Sequence, residues 1–284
     1  MIERILLTNS GTGNTEAMMK VLIKIPLIQR AKITVLHVVP PQVSAERMTA
    51  KWEAGGRTLA EAIKTLNLDP AHVTAMLREG DPKDLVIKVA NEVDADLIVM
   101  GSRGLKGLRA ILENSVSQYV FQLSSRPMLL VKDELYSIRP IKRVMVAMDK
   151  SDSAREGLKL GINLLRDIKN SELLLVHTVS SLKARPFEET EPDPNKDPVL
   201  AAAAGEAKRY GIKTVLSAPE GKAGSRICQL AEDKNVDLMI LGSPDRRPSI
   251  AKGLPDLDRL LGESLSDYVR VYTPCPVLLT RIAS

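Results

Sequence analysis

With 284 residues, 44% of them apolar and 26% charged, the chain has room for two ordinary domains and the composition of a soluble globular protein, not of a disordered or fibrous one. Its two cysteines, Cys228 and Cys275, allow neither a disulfide framework nor a four-cysteine zinc site. The formal net charge of +5 is spread evenly, 17 basic against 15 acidic side chains in residues 1–138 and 23 against 20 in residues 139–284, and aromatics are only 3%, which argues against nucleic acid as a partner.

The start, Met1-Ile-Glu-Arg-Ile-Leu-Leu, lacks the basic-then-apolar pattern of an export signal. Apolar runs such as Pro127–Val131 fall far short of the ~20 residues a membrane span requires, so the expected location is the cytoplasm, without membrane contact. In chain order, short apolar runs at Arg4–Thr8, Ile33–Val39, Val73–Leu77, Leu97–Gly101 and Met128–Val131 read as strands. Between them Leu85, Val86, Val89, Ala90 and Val93 share one helix face, as do Leu112, Val116, Val120 and Leu123, and both faces are expected to be buried.

The same series then recurs. Ile5-Leu6-Leu7 is matched by Val144-Met145-Val146, Val35–Val38 by Leu175–Thr178, and Asp96–Ser102 by Asp237–Ser243. Ser115–Val120 is matched by Ser264–Val269, and Arg126–Val131 by Cys275–Thr280. One domain has been duplicated in tandem, as 1–138 and 139–284, with extra residues in the second copy at Pro244–Asp258. Each copy is expected to be an α/β domain with an open five-stranded parallel sheet and helices on both faces. The acidic, proline-bearing stretch Arg185–Asp197 reads as an exposed loop without assigned function.

In such a sheet, ligands bind beyond the carboxyl ends of the strands, which directs attention to the turns after Thr8 and Met100. The segment Gly101-Ser-Arg-Gly104 through Asn114-Ser115-Val116-Ser117 combines glycines, a helix start and the cations Arg103, Lys106 and Arg109, a set suited to phosphate. Ser115 followed by Gln118 is also a capping box, as is Ser264 followed by Asp267, so these serines can equally serve only to start a helix.

These residues resemble the nucleotide motif of the universal stress protein family, Gly, two residues, Gly, nine residues, Gly, then Ser or Thr. The whole chain resembles a tandem member, with flavodoxin-like (HUP-type) sheets. Gly101, Gly104 and Ser115 keep the spacing, while Asn114 stands at the third glycine. The resemblance implies an adenine nucleotide, ATP or AMP, with Mg2+ only if ATP is bound. It implies a first-half site of Thr8, Asn9, Ser10, Val38, Gly101, Arg103, Gly104, Asn114, Ser115, Val116 and Ser117. Ser10 replaces the family's ribose-binding Asp, which predicts weaker binding. Val38 stands where the family contacts adenine. In the second half the corresponding set is Asp149, Thr178, Gly242 and Ser264. There Gly242-Ser-Pro244-Asp245 replaces the glycine pair and Glu263 the third glycine, so phosphate binding is expected to be lost. The resemblance further implies that the last strands, Met128–Val131 and Val277–Thr280, pair antiparallel as an intrachain pseudo-dimer, with homo-oligomers plausible and an unidentified protein partner.

Two other readings stand beside this one. Asn9-Ser10-Gly-Thr-Gly-Asn-Thr-Glu16 is similar to the phosphate loop of flavodoxins, which would make the chain an FMN electron carrier, although no ring-covering aromatic is evident. Alternatively the fold serves as an interaction scaffold that has lost its nucleotide. His37 and His177, at matching places in apolar strands, read as satisfied strand-end histidines rather than bases, and no metal-spaced cluster or catalytic triad order indicates an enzyme.

Overall fold

Each apolar run becomes a strand, because a parallel sheet covered on both faces can bury every side chain of such a run. The computed structural model describes residues 2–10, 15–67, 69–102, 115–132, 139–179, 193–243 and 264–281. The chain divides into two compact units, residues 1–138 and 139–284.

The first unit contains β1 (Arg4–Thr8), α1 (Thr15–Leu22), β2 (Lys32–Val39), α2 (Ala45–Leu66), β3 (Val73–Glu79), α3 (Pro82–Glu92), β4 (Leu97–Ser102), α4 (Val116–Leu123) and β5 (Met128–Lys132). All its strand pairs are parallel, in the order β3-β2-β1-β4-β5. The second unit repeats the plan with β6 (Arg143–Ala147), α5 (Asp152–Leu165), β7 (Glu172–Val176), α6 (Pro198–Lys208), β8 (Lys213–Ser217), α7 (Ala223–Asp233), β9 (Leu238–Gly242), α8 (Leu265–Tyr272) and β10 (Val277–Thr280), in the order β8-β7-β6-β9-β10.

In the first unit α1 and α2 cover one face and α3 and α4 the other. The core lies in the middle strands, where Leu6, Leu7, Val35, Ile98 and Val99 are buried. On α3 the buried positions are Val86, Val89 and Ala90, with Leu85 and Val93 only half-buried. On α4 the buried face is Ser117, Gln118, Val120 and Phe121, whereas Val116 and Leu123 are half-buried. The expected face is thus turned by about one residue, since Phe121 is the largest wholly apolar side chain of the helix. Leu112 lies outside the described residues.

The duplication extends to single hydrogen bonds. Ahead of β4, the Asp96 carboxylate accepts the backbone N–H groups of Glu3 and Arg4, both at 2.9 Å. Ahead of β9, Asp237 accepts those of Lys142 and Arg143 at 3.0 and 2.9 Å. The preceding turns match as well. Asp94 and Asn235 are left-handed, at φ 47° and 50°, and the next residues close back onto their helices, Ala95 N–H to Ala90 O at 2.8 Å and Val236 N–H to Ala231 O at 2.9 Å. Asx residues tolerate this conformation better than most.

Asp96→Ala leaves two N–H groups at the start of β1 without their carboxylate, and Asp237→Ala does the same for β6. Each substitution is expected to cost about 1–2 kcal/mol, and denaturant unfolding of both variants should show losses of similar size.

Candidate functional site

In the first unit, β1 lies between β2 and β4, and the connections leaving its carboxyl end and that of β4 diverge to opposite faces. The crevice this leaves holds a cavity of about 560 Å³, within the range of small-ligand sites. β1 contributes Thr8, Asn9 and Ser10, and β4 contributes Met100 and Gly101. Leu36, His37, Val38, Val39 and Pro40 come from β2 and its end. Lys51, Ala54, Gly55 and Thr58 come from α2, Pro82 and Val86 from α3, and Ser115, Val116 and Ser117 from the start of α4.

Local chemistry fixes these walls. The Thr8 hydroxyl donates to the Val99 carbonyl at 3.4 Å, tying β1 to β4. Asn9 N–H donates to Leu36 O at 2.9 Å, extending the β1–β2 ladder by one residue. His37 Nδ1 lies 2.8 Å from the Asn9 carbonyl oxygen. Ser115 caps α4 by accepting Gln118 N–H at 3.4 Å, and its Oγ lies 3.1 Å from that of Ser117. The cap and the cavity wall are therefore the same residue. Helix α2 approaches closely at Gly55, where a Cβ would lie 3.0 Å from His37 Cδ2 and from Val39 Cγ2.

Eight residues of the expected first-half site, Thr8, Asn9, Ser10, Val38, Gly101, Ser115, Val116 and Ser117, thus line one cavity. Arg103, Gly104 and Asn114 lie outside the described residues, as do Gly11–Asn14 of the flavodoxin-like loop. The α2 wall and His37 were not among the expected site residues. Ala54, Gly55 and Thr58 are small side chains on the cavity side of α2.

The second unit arranges the matching positions differently. Asp149 is exposed, and its Oδ1 accepts Ser151 N–H at 2.8 Å, so the carboxylate is turned to its own helix start. At Gly242 a Cβ would meet Ala154 N at 2.6 Å and the Ser153 carbonyl carbon at 2.7 Å; here the first turn of α5 touches the end of β9. Ser264 caps α8, accepting Asp267 N–H at 3.2 Å and donating to Asp267 Oδ2 at 2.7 Å. Where α4 carries the neutral Gln118 in its first turn, α8 therefore carries a carboxylate. Thr178 lies two residues beyond the end of β7 and is half-buried. Glu263 and Pro244–Asp258 lie outside the described residues.

His177 does not reach the end of β6. Its Nδ1 is 2.7 Å from Asp197 Oδ2, and Asp197 also caps α6 by accepting the N–H groups of Val199 and Leu200 at 2.8 and 3.0 Å. This corrects the reading of Arg185–Asp197 as exposed loop throughout, because its last residue is a half-buried anchor. Burial is the largest influence on the Asp197 carboxyl and raises it, but the bonds from His177, Leu200 and Val199 together outweigh it and hold the carboxyl below its ordinary value.

These walls belong to a recognisable lineage. The model of the universal stress protein family matches residues 1–132 and again 140–281. The chain belongs to the universal stress protein family. Its relatives include the stress response protein NhaX of Bacillus subtilis, 28% identical over 165 residues, covering 46% of this chain and 98% of that one. A universal stress protein of Synechocystis is 29% identical over 143 residues, covering 49% of this chain and 84% of the relative. A universal stress protein crystal structure from Archaeoglobus fulgidus shares the fold along nearly the full length, with a TM-score of 0.76, 22% identity and coverage of 98% and 96% of the two chains. Within this family fold, no helix among the described residues is long and apolar enough to cross a membrane.

Two expectations follow for this tandem family member. Gly242→Ala forces the start of α5 off β9 and should cost about 1–3 kcal/mol, seen as a lowered thermal midpoint. Asp197→Ala removes a helix cap and should cost about 1 kcal/mol at neutral pH. Because the folded-state carboxyl is depressed, the stability it contributes is present above its unfolded value near ~4 and is lost as pH falls through the folded value. Thermal unfolding across pH should therefore show parent and variant converging below about pH 4.

Proposed function

We propose that the first unit binds an adenine nucleotide, AMP or ATP, in the cavity beyond β1, β2 and β4, and that occupancy, not catalysis, is its output to a protein partner. The observation that carries this reading is the convergence of Thr8–Ser10, Val38, Gly101 and Ser115–Ser117 on one cavity, since Gly101 and Ser115 keep the spacing of the family's nucleotide motif and Ser10 and Val38 stand at the family's ribose and adenine positions, although they are scattered along the chain. Val38, Val39, Pro40, Val86 and Met100 offer an apolar wall for a base. Ser115 and Ser117 at the start of α4 face the same space, where a helix N-terminus favours negative charge. Lys51 adds a cation on the α2 side.

Ser10 in place of a carboxylate removes charge-assisted hydrogen bonds to a ribose, so binding is weaker than an Asp would give. Mg2+ enters only with ATP. The second unit contributes no equivalent site on this reading, because Pro244, Asp245 and Glu263 replace the motif's glycines and α8 carries the Asp267 carboxylate in its first turn. Among the described residues, no Phe, Tyr or Trp lines the cavity, which disfavours a flavin.

Calorimetric titration of nucleotide-stripped protein with ATP, ADP and AMP should give one site per chain. Ser115→Asp keeps a good helix cap while placing a negative charge against the phosphates. It should leave the thermal midpoint within a few degrees of the parent and weaken binding more than about tenfold. Absence of heat and of thermal shift at millimolar nucleotide in the parent would sink the reading and leave an interaction scaffold. A yellow protein on purification would favour FMN.

A further inference from the structure

We infer that His37 is a positioning residue for this cavity: through Nδ1 it holds the Asn9 carbonyl and so fixes the Asn9–Ser10 peptide at the end of β1. A carbonyl oxygen can only accept, so in this contact Nδ1 carries the proton and donates. The donor persists whether the ring is neutral or cationic. Asn9 N–H already bonds to Leu36 O, so β2 secures the residue twice, once by its backbone and once by this imidazole. The peptide unit is planar, so orienting the Asn9 carbonyl also orients the Ser10 N–H, and both residues line the cavity.

The ring is held from its other side as well. Helix α2 approaches His37 Cδ2 at Gly55, where a Cβ would fit only at 3.0 Å, so the imidazole lies between the end of β1 and that helix.

The second unit is an internal control. Its backbone repeats the ladder bond, Met148 N–H to Val176 O at 2.7 Å, and carries a histidine at the matching place. Yet His177 gives its Nδ1 to Asp197 instead. A histidine at this strand position is therefore not bound to clamp the neighbouring strand end. The effect on a ligand rests on the nucleotide reading given above; the hold on Asn9–Ser10 does not.

The two ring nitrogens can be tested separately, because an Asn amide nitrogen falls near the place of Nδ1 and a Gln amide near that of Nε2. Backbone amide exchange around Asn9–Ser10 would be measured without ligand in the parent, His37→Asn, His37→Gln and His37→Phe, followed by calorimetric titration of each with AMP. His37→Asn should stay within about twofold of the parent in both measurements. His37→Gln and His37→Phe should exchange at least tenfold faster at Ser10 and bind AMP roughly 5- to 30-fold more weakly, with thermal midpoints near that of the parent. Should His37→Phe fail to fold, the Asn and Gln pair carries the comparison. Parent-like exchange in His37→Phe, or loss in His37→Asn with retention in His37→Gln, would overturn the inference, the second outcome assigning the role to Nε2. If the parent binds no nucleotide, the functional reading falls, and the exchange data alone decide whether His37 holds the strand end.

Discussion

The position of β1 between β2 and β4 is the constraint on which the first unit depends. Crossovers between parallel strands are right-handed almost without exception, so a chain that runs outward from β1 to β2 and β3 lays its helices on one face. When it returns to β4 and continues to β5, the same handedness sends α3 and α4 to the other face. At the carboxyl end of β1 the two sets of connections part, and no helix can cover the gap. Polar groups at Thr8, Asn9, Ser115 and Ser117 gather there because that is where the sheet ends and helix starts expose backbone donors.

The two units share this topology but pack the helix after their first strand differently. In the first, α1 meets the sheet with Thr15, Met18, Met19 and Leu22, and long side chains hold a helix axis away from its neighbours. In the second, α5 buries Ser153, Ala154, Gly157 and Gly161 beside Leu158, Ile162, Leu164 and Leu165, and Cβ atoms at the two glycines would lie 3.1–3.4 Å from Val146, Leu173, Ile240 or Thr280 side-chain atoms. The small face lets the helix settle onto β6 and β9 until its first turn touches Gly242. The first helix thus packs differently in the two copies, although the clips at Asp96 and Asp237 are the same.

Strands were legible within two residues of their ends because buried parallel strands are written as unbroken apolar runs, and a repeat writes each of them twice. The phosphate and cap readings of Ser115 looked like alternatives in the sequence. In the structure Ser115 caps α4 and lines the cavity at once, since a cap employs the hydroxyl as an acceptor and still leaves the residue facing the crevice. What stayed hidden depends on pairs of residues far apart in sequence. His37 meets Asn9 across 28 residues and His177 meets Asp197 across 20, and nothing in two near-identical apolar strands announces that their histidines have different partners. The α2 wall was hidden for another reason: apolar periodicity marks the face that turns inward, and does not distinguish a face packed on the sheet from one bordering a void.

The exchange of Ser10 and Asp149 between the copies follows from the same geometry. A carboxylate beyond the first strand helps a ribose and repels a phosphate, and which effect prevails depends on the other charges in the crevice. In the second unit Asp149 accepts Ser151 N–H at the start of α5, where a negative charge is favourable. In the first unit the position is neutral, α4 begins without an acid in its first turn, and Lys51 stands on the facing wall. Among the described residues, the second unit therefore carries a carboxylate at two positions, Asp149 and Asp267, where the first carries the neutral Ser10 and Gln118.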